Sequence, residues 1–342
     1  MLTLKERLDK LVDPDYGLIK YISVLPRSPD EANIFVGLAI IQDPLALPPQ
    51  SEFTRLNAKD MKQGAGCGFT LEECLWSTVG ESVERYAACV YDVKDLKISS
   101  FSQLSERDEA IDPRRFIRFS DEQYKKPGFV FSAPQPDDQI AWTVGVNVLT
   151  GVQTYVPASL VYMYYSALTP KDSRIDKGYS TGLAAGSNYF MAIHSGLREV
   201  LERDAYALHW FSKRTAPRID MEQLKKNTTP NIRKLLEQAN AHIELRDYTT
   251  DLGIPCVLSQ IKTSCFGGVA SGSSSNLNGL RCNEKALIES FHTLNWCIDM
   301  LKHHQVMELE DIVQYEHHVR YYFTDRPESR HNLDFLTADA PL

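Results

Sequence analysis

Ser77, Glu81, Glu84 and Arg85 spell S-x-x-x-E-x-x-E-R, and Ser195, Glu199, Glu202 and Arg203 spell it again. At average residue frequencies one such match arises by chance in about one chain in a few hundred. A chain carrying two is constrained to fold two helices of one design. At 3.6 residues per turn the Ser and both Glu of each copy share a face. Flanking apolar residues repeat in register, Leu75, Val79 and Val83 in the first copy and Ile193, Leu197 and Leu201 in the second, on roughly the opposite side. Each helix is thus expected to pack by one side and present two carboxylates from the other. For either copy alone, an acidic face turned to water is the alternative.

The surrounding text sets the fold class. Thr70 and Glu73 form a T-x-x-E capping box after Gly64–Gly68, which starts a helix over about 71–92. The small-residue tract Ser180–Asn188 leads into a second helix over about 189–211, and a third spans about 283–303. A polar helix is expected near 221–241. Ile34–Ile41 and the stretches near 243–247 and 254–262 read as strands, and the text around Thr150-Gly151 as a hairpin. LALPPQSE reads as turn-rich and Gly267–Gly279 as a loop. Strands and helices alternate without regular βαβ spacing, which predicts an α+β fold of mixed sheets packed with helices.

Charge and cysteine usage exclude several functions. Against 37 Lys and Arg stand 45 Asp and Glu, a net charge of −8, which gives no global field for a nucleic-acid backbone. The longest apolar run, Ile34–Ile41, is far short of the roughly 20 residues that cross a bilayer. No signal-peptide pattern opens the chain, so cytoplasmic residence is the default expectation, without a membrane or nucleic-acid partner. Seven cysteines include no C-x-x-C pair and are expected as free thiols. The pairs His303-His304 and His317-His318 lack the H-x-x-x-H spacing of a helical metal site.

Four carboxylates meeting in one cleft would repel by roughly 4 kcal/mol per pair at 4 Å with an effective dielectric near 20. Such a cluster requires cations. Oxygen-only ligands at helical spacing suit Mg²⁺, which completes its shell with water and phosphate oxygens and so points to nucleotide chemistry. No G-x-x-x-x-G-K-[ST] loop and no kinase motif set is present, so phosphates would be held by metal, by Arg85 and Arg203, and by backbone amides of small-residue tracts.

GFTLEECLWSTVGESVERYAA and STGLAAGSNYFMAIHSGLREVLERDA resemble the YcaO family, whose ATP site is built from these two helices. VDPDYGLIKYI, WTVGVNVLTGVQTYVPASLVY and the stretch from Gly272 to Asn295 extend the resemblance over most of residues 12–300. It implies an N-terminal segment over 1–60, an ATP-binding core over 61–305 and a short C-terminal segment over 306–342. By the same resemblance Ser77 is a nucleotide contact, Glu81, Glu84, Glu199 and Glu202 hold Mg²⁺, Arg203 meets phosphate, and Asn188 or Ser187 is the polar position before the second helix. The implied activity is ATP-dependent activation of a backbone amide in a ribosomally made precursor peptide. A Cys, Ser or Thr side chain attacks the preceding carbonyl, ATP phosphorylates the oxyanion, and loss of phosphate leaves an azoline.

Several positions depart from the family pattern. Gly66-Cys67-Gly68 stands where Gly-Lys-Gly is frequent, so Cys67 is either a small packing residue or a reactive thiol. Met191 replaces an acid, and the third helix offers Glu289, His292, Thr293 and Trp296 where a glutamate and a glutamine are expected. Glu289 or Arg281 could serve the nucleotide. Ala340-Pro341-Leu342 replaces a longer proline-rich tail, which leaves the catalytic base unassigned. Thioamide or amidine formation on the same ATP site is the alternative chemistry, and a non-catalytic scaffold the alternative class. No leader-binding module is recognisable, so a separate E1-like or TfuA-like partner is expected, and a homodimer stays open.

Overall fold

The computed structural model describes residues 3–27, 31–42, 63–116, 118–163, 165, 167–172, 175, 178–238, 240–263, 268–303, 305–312, 315–322 and 333. Elements run α1 (Leu4–Leu11), β1 (Ile19–Val24), β2 (Phe35–Ile41), β3 (Gln63–Gly68), α2 (Leu71–Ala87), β4 (Lys97–Ser99), α3 (Phe101–Leu104), α4 (Asp121–Tyr124), β5 (Ile140–Val146), β6 (Gln153–Pro157) and α5 (Ala158–Val161). They continue with α6 (Tyr189–Ser212), α7 (Met221–Asn227), α8 (Pro230–Gln238), β7 (Ala241–Asp247), β8 (Cys256–Thr263), β9 (Ala270–Ser275), α9 (Gly279–His303) and α10 (Tyr315–Tyr321). The mixture is α+β, and the described residues form three three-stranded antiparallel sheets, each in sequential strand order. LALPPQSE, Cys265, His304 and the Ala340–Leu342 end lie outside the described residues. Among the described residues no helix is long and apolar enough to cross a membrane.

The chain divides into two compact units. The first gathers the described residues up to Ile41, Gln63–Val83 and those from Thr181 onward. It contains the sheets β1-β2-β3 and β7-β8-β9. Its core is built on α9, where Leu287, Phe291 and Leu294 are buried with Ile34, Val36, Leu245 and Ile261. A fully buried large aliphatic or aromatic side chain contributes about 1.5–3 kcal/mol, so α9 is the principal apolar anchor of this unit.

Both strands that precede a long helix here consist of small residues. β3 reads QGAGCG and β9 reads ASGSSS, and the stretch containing β9, expected as a loop, is a ladder paired with β8 from Ala270 to Ser275. The reason is close approach: a Cβ on Gly66 would sit 2.2 Å from the Thr78 nitrogen, and one on Gly272 2.2 Å from the Ser290 nitrogen. Helix backbone occupies the space that strand side chains normally fill.

Helix ends follow local chemistry. The Thr70–Glu73 box forms as expected, with Glu73 accepting from Phe69 and Thr70 N–H and donating its own N–H to the Thr70 hydroxyl. α2 stops at Ala87 rather than near 92, where tightened bonds from Cys89 N–H to the Tyr86 carbonyl and Val90 N–H to the Ala87 carbonyl close the last turn. The polar helix near 221–241 is two helices, because Pro230 supplies no N–H and disfavours helical geometry at Thr229. Glu284 on α9 accepts from the Thr228 hydroxyl and the Thr229 N–H, each at 2.8 Å, and stabilises the start of α8. α9 begins at Gly279, earlier than expected, because the Asn278 side chain accepts from the Arg281 N–H.

The second unit, whose described residues are Gln42 and those within 84–180, holds the sheet β4-β5-β6. Trp142 is fully buried with Leu104, Ile140 and Ile175 and donates its indole N–H to the Ser99 carbonyl at 3.0 Å. The expected hairpin joins β5 to β6 through a turn with Gly151 at φ 72°. The buried Asp172 carboxylate accepts from Ala141 N–H at 2.8 Å and the Tyr165 hydroxyl at 2.9 Å.

Candidate functional site: three glutamate helices

The two copies of the sequence pattern are two members of a set of three. Glu81 on α2 accepts from the Ala65 N–H at 3.2 Å, and Glu199 on α6 accepts from the Gly182 N–H at 3.2 Å. Glu289 on α9 accepts from the Ser273 N–H at 3.2 Å. The donor precedes its glutamate by 16, 17 and 16 residues respectively. In each case a helix residue three positions before the glutamate, Thr78, Gly196 or Ala286, lies against a glycine. A Cβ on Gly196 would be 2.4 Å from the Gly182 carbonyl oxygen, and one on Gly272 2.6 Å from that of Ala286. This approach lets a main-chain N–H reach a carboxylate and fix its direction.

Glu289 carries no S-x-x-x-E-x-x-E-R string, since Lys285 and His292 occupy the flanking turns. The common spacing from a small-residue tract to the glutamate was the signal that could have found it.

Ser273 joins two of these helices. Its hydroxyl donates to Glu202 on α6 at 2.6 Å while its N–H serves Glu289 on α9. Burial, reinforced by the neighbouring Glu202 charge, pushes the Glu289 carboxyl up to about 8, with Glu199 acting in the same direction and Arg203 against it. Glu81 reaches the same surroundings, because it and Glu289 both act on the Cys67 thiol. The first unit therefore brings Glu81, Glu199, Glu202 and Glu289 into one electrostatic neighbourhood. Arg203 pairs with Glu199 across one helical turn, Nε to Oε1 at 3.5 Å.

Other expected residues take distinct positions. Ser77 is exposed on α2. Glu84 and Arg85 belong to the second unit, where Arg85 approaches the Met163 sulfur at 4.0 Å. Asn188 is the N-cap of α6, its side chain accepting from the Met191 N–H at 3.0 Å, and the exposed Ser187 hydroxyl lies 3.0 Å from the Met191 sulfur. Leu197, on the expected apolar side of α6, is 53% exposed, whereas Gly196 is buried against the Gly182 carbonyl, where only a small residue permits so close a contact. Ala205 is buried elsewhere on the helix, with Tyr248, Cys256 and Leu258.

Cys67 is partly buried, and burial drives its thiol up to about 12, which removes the thiolate character of a reactive cysteine. The other described cysteines, Cys74, Cys89, Cys256, Cys282 and Cys297, are buried and free. His317 contacts the Asp311 carbonyl and His318 the Tyr322 ring.

Among the described residues no three His, Cys, Asp or Glu side chains form a closed set of metal ligands. Structural zinc requires such a set; Mg²⁺ takes one or two carboxylates and fills its octahedron with water and phosphate oxygens. The raised Glu289 carboxyl marks a place short of positive charge, and the oxygen-only donor set fits a hard divalent cation.

The fold recurs in proteins of known structure. A heterocyclase in complex with substrate and cofactor superposes with a TM-score of 0.79 at 22% identity, covering 99% of this chain and 44% of that one. YcaO from Methanopyrus kandleri bound with AMPPCP and Mg²⁺ gives 0.58 at 17%, covering 94% and 69%. The E. coli microcin synthetase McbBCD complex gives 0.61 at 15%, covering 92% and 75%. An uncharacterized protein in the tfuA 3′ region of Rhizobium leguminosarum bv. trifolii is 28% identical over 244 residues, 70% of this chain and 54% of the relative. An uncharacterized protein of Methanothermobacter thermautotrophicus is 28% identical over 200 residues, 56% and 46% of the two chains. The chain spans about half the length of these curated relatives. The sequence profile of the YcaO cyclodehydratase family, described as ATP- and Mg²⁺-binding, matches residues 65–341, and the chain belongs to that family.

Proposed function

We propose that the chain binds ATP with Mg²⁺ and uses it to activate a backbone amide of a ribosomally made peptide, by cyclodehydration of Cys, Ser or Thr to an azoline. The observation that carries this reading is the convergence of Glu202 and Glu289 on Ser273, with Glu199 and Glu81 in the same neighbourhood. Glu81, Glu199, Glu202 and Glu289 are the residues to hold Mg²⁺, with Glu84 the further candidate from the sequence pattern. Bound Mg²⁺ supplies positive charge that offsets the polyphosphate and polarises it for transfer.

The protein's own contribution is positional. Phosphoryl transfer depends mainly on alignment and on neutralising charge at the transferring group. The main-chain donors Ala65, Gly182 and Ser273 fix three carboxylates before ligand arrives, so little reorganisation accompanies binding. Arg203 and Arg85 are assigned to phosphate oxygens, and Ser77, Ser187 and Asn188 to the nucleotide. The family description and the AMPPCP- and Mg²⁺-bound Methanopyrus structure support ATP and Mg²⁺ as the ligands.

A second chemistry, replacement of the amide oxygen by sulfur or an amine, uses the same nucleotide site. The tfuA-adjacent position of the Rhizobium relative favours a TfuA-like partner in that case, and the McbBCD complex supports partner-assisted action in general. Incubation of the chain with candidate precursor peptide, partner, ATP and Mg²⁺ separates the readings. Loss of water from the peptide with phosphate release supports cyclodehydration, and exchange of oxygen for sulfur or nitrogen supports the second chemistry. Unchanged peptide mass with every cognate partner present refutes both and leaves the scaffold alternative.

A further inference from the structure

Opposed residues of an antiparallel pair alternate between those that exchange main-chain hydrogen bonds and those that do not. On the β5–β6 hairpin the Asn147 N–H donates to the Val152 carbonyl, and the register Val146–Gln153, Gly145–Thr154, Val144–Tyr155 then makes Gly145 and Thr143 the bonded positions. Pro157, which has no N–H, stands opposite Trp142 and agrees with that phase. The N–H and C=O groups of Trp142, Val144 and Val146 therefore point away from β6. At Trp142 they meet Lys97, but β4 begins there, and the chain before it is a 3-10 turn at Val93–Asp95. Among the described residues no other hydrogen bond reaches the main chain of Val144 or Val146. The two residues are 45% and 51% exposed. The outer edge of β6, in contrast, is covered: the Tyr155 N–H donates to the Glu109 carbonyl at 2.8 Å, and its carbonyl accepts from the Ile111 N–H at 2.9 Å.

Folded proteins protect a bare strand edge with charge, proline or a bulge. Val144–Val146 has none of these. Its ladder runs without a register shift, and the 32 residues between Asp138 and Lys171 contain no Asp, Glu, Lys or Arg. Val148, Leu149 and Val152 continue the exposed apolar surface to the hairpin tip. Gly145, between the two valines, is not required by the neighbours described within the chain, since a Cβ there would meet the Thr154 carbonyl oxygen and Val156 Cγ2 at an ordinary 3.6 Å. A glycine inside a strand marks close approach of another backbone.

We infer that a second copy of this chain covers the edge, β5 pairing antiparallel with β5 about a two-fold axis at Gly145. An interface of this symmetry must complement itself, and the edge does so. Val144 of each copy faces Val146 of the other, their outward N–H and C=O groups form four main-chain hydrogen bonds, and Gly145 meets Gly145. The turn of each hairpin then abuts the Lys97 end of the other copy's β4. Two chains of net charge −8 join through uncharged strands, with no like charges opposed along them. A stable dimer buries about 800 Å² on each partner, and an edge of four hydrogen bonds and a few valines sets a weaker, micromolar one. The inference stands apart from the ATP reading.

The test is sedimentation of the full chain from about 1 to 200 µM, a range that brackets a micromolar Kd. Wild type is expected to shift from monomer to dimer across it. Val146→Pro removes an outward N–H and leaves the β6 ladder intact, and Val144→Lys adds the missing edge charge. Each is expected to weaken dimerisation at least about tenfold, with folding checked by thermal melt. Gln153→Lys, a charge on β6 away from the edge, keeps the dimer. Gly145→Cys is expected to cross-link two copies on oxidation, with wild type as the uncross-linked control, and adding Val146→Pro abolishes the cross-link. A chain that stays monomeric throughout and gives no Gly145→Cys cross-link overturns the inference, as does dimerisation unchanged within twofold in both folded edge variants. If the chain stays monomeric and a precursor peptide slows hydrogen exchange of the Val144 and Val146 amides, the edge belongs to that peptide and the second copy is overturned.

Discussion

Ser273→Ala removes one atom group whose role the geometry defines. The Ser273 hydroxyl donates to Glu202 at 2.6 Å, within the range of O–H donors to ionised carboxylates, while its main-chain N–H continues to serve Glu289. A hydrogen bond to a charged group contributes about 1.5–3 kcal/mol. At 1.4 kcal/mol per factor of ten, its loss is expected to weaken Mg²⁺-ATP binding by about 10- to 100-fold, the range typical of residues that orient metal-binding carboxylates. The strand and its bond to Glu289 remain, so the variant stays folded, with stability reduced by about 1–3 kcal/mol. Isothermal titration gives the affinity and urea unfolding the stability; Ser273→Thr, which keeps the hydroxyl, is expected to recover most of the binding. Ser273→Ala binding within twofold of wild type would refute the claim that this hydroxyl orders the carboxylate pair.

Three further perturbations probe the scaffold. Gly272→Ala places a methyl group 2.2 Å from the Ser290 nitrogen and is expected to cost at least about 1–3 kcal/mol, read as a lower urea midpoint. Burial lowers the His292 imidazole from its ordinary value near 6.5 to about 4. The unfolded chain therefore binds the proton more readily, and stability is lost as pH falls from about 6.5 towards 4, by up to about 3 kcal/mol. Thermal melts should show this slope flattened in His292→Gln, and an unchanged slope would exclude His292 as its origin. Arg246→Met removes the fully buried guanidinium that pairs with Glu244 and donates to the Ala216 carbonyl, with an expected loss of about 3–5 kcal/mol in denaturant unfolding.

The helices were legible because their signals are local. Thr70 with Glu73 and Asn188 ahead of Tyr189 mark helix starts, and the repeated glutamates mark faces. β3 and β9 were harder to read because GAGCG and ASGSSS show no alternation of apolar and polar residues. Their space is occupied by the backbones of α2 and α9, a tertiary contact that leaves only small residues in the sequence. The same physics acts on α6. Leu197 fits an apolar stripe yet is exposed, while close approach selects Gly196 against the Gly182 segment. Glu289 was visible as a residue but not as a counterpart of Glu81 and Glu199, because the likeness resides in the distance to a main-chain donor rather than in the adjacent text. Ser273 could not be singled out from sequence at all, since its role depends on two helices meeting at one strand residue.

The converging carboxylates are proposed to form a Mg²⁺-dependent nucleotide site, and titration of ATP into the full chain, with and without Mg²⁺, for wild type, Glu81→Gln and Glu202→Gln is the decisive experiment. The expected result is saturable binding that requires Mg²⁺ in wild type and is weakened at least about tenfold in each variant, as for loss of a charge-assisted contact. Binding that is absent in wild type, indifferent to Mg²⁺, or unchanged in both folded variants would exclude such a site.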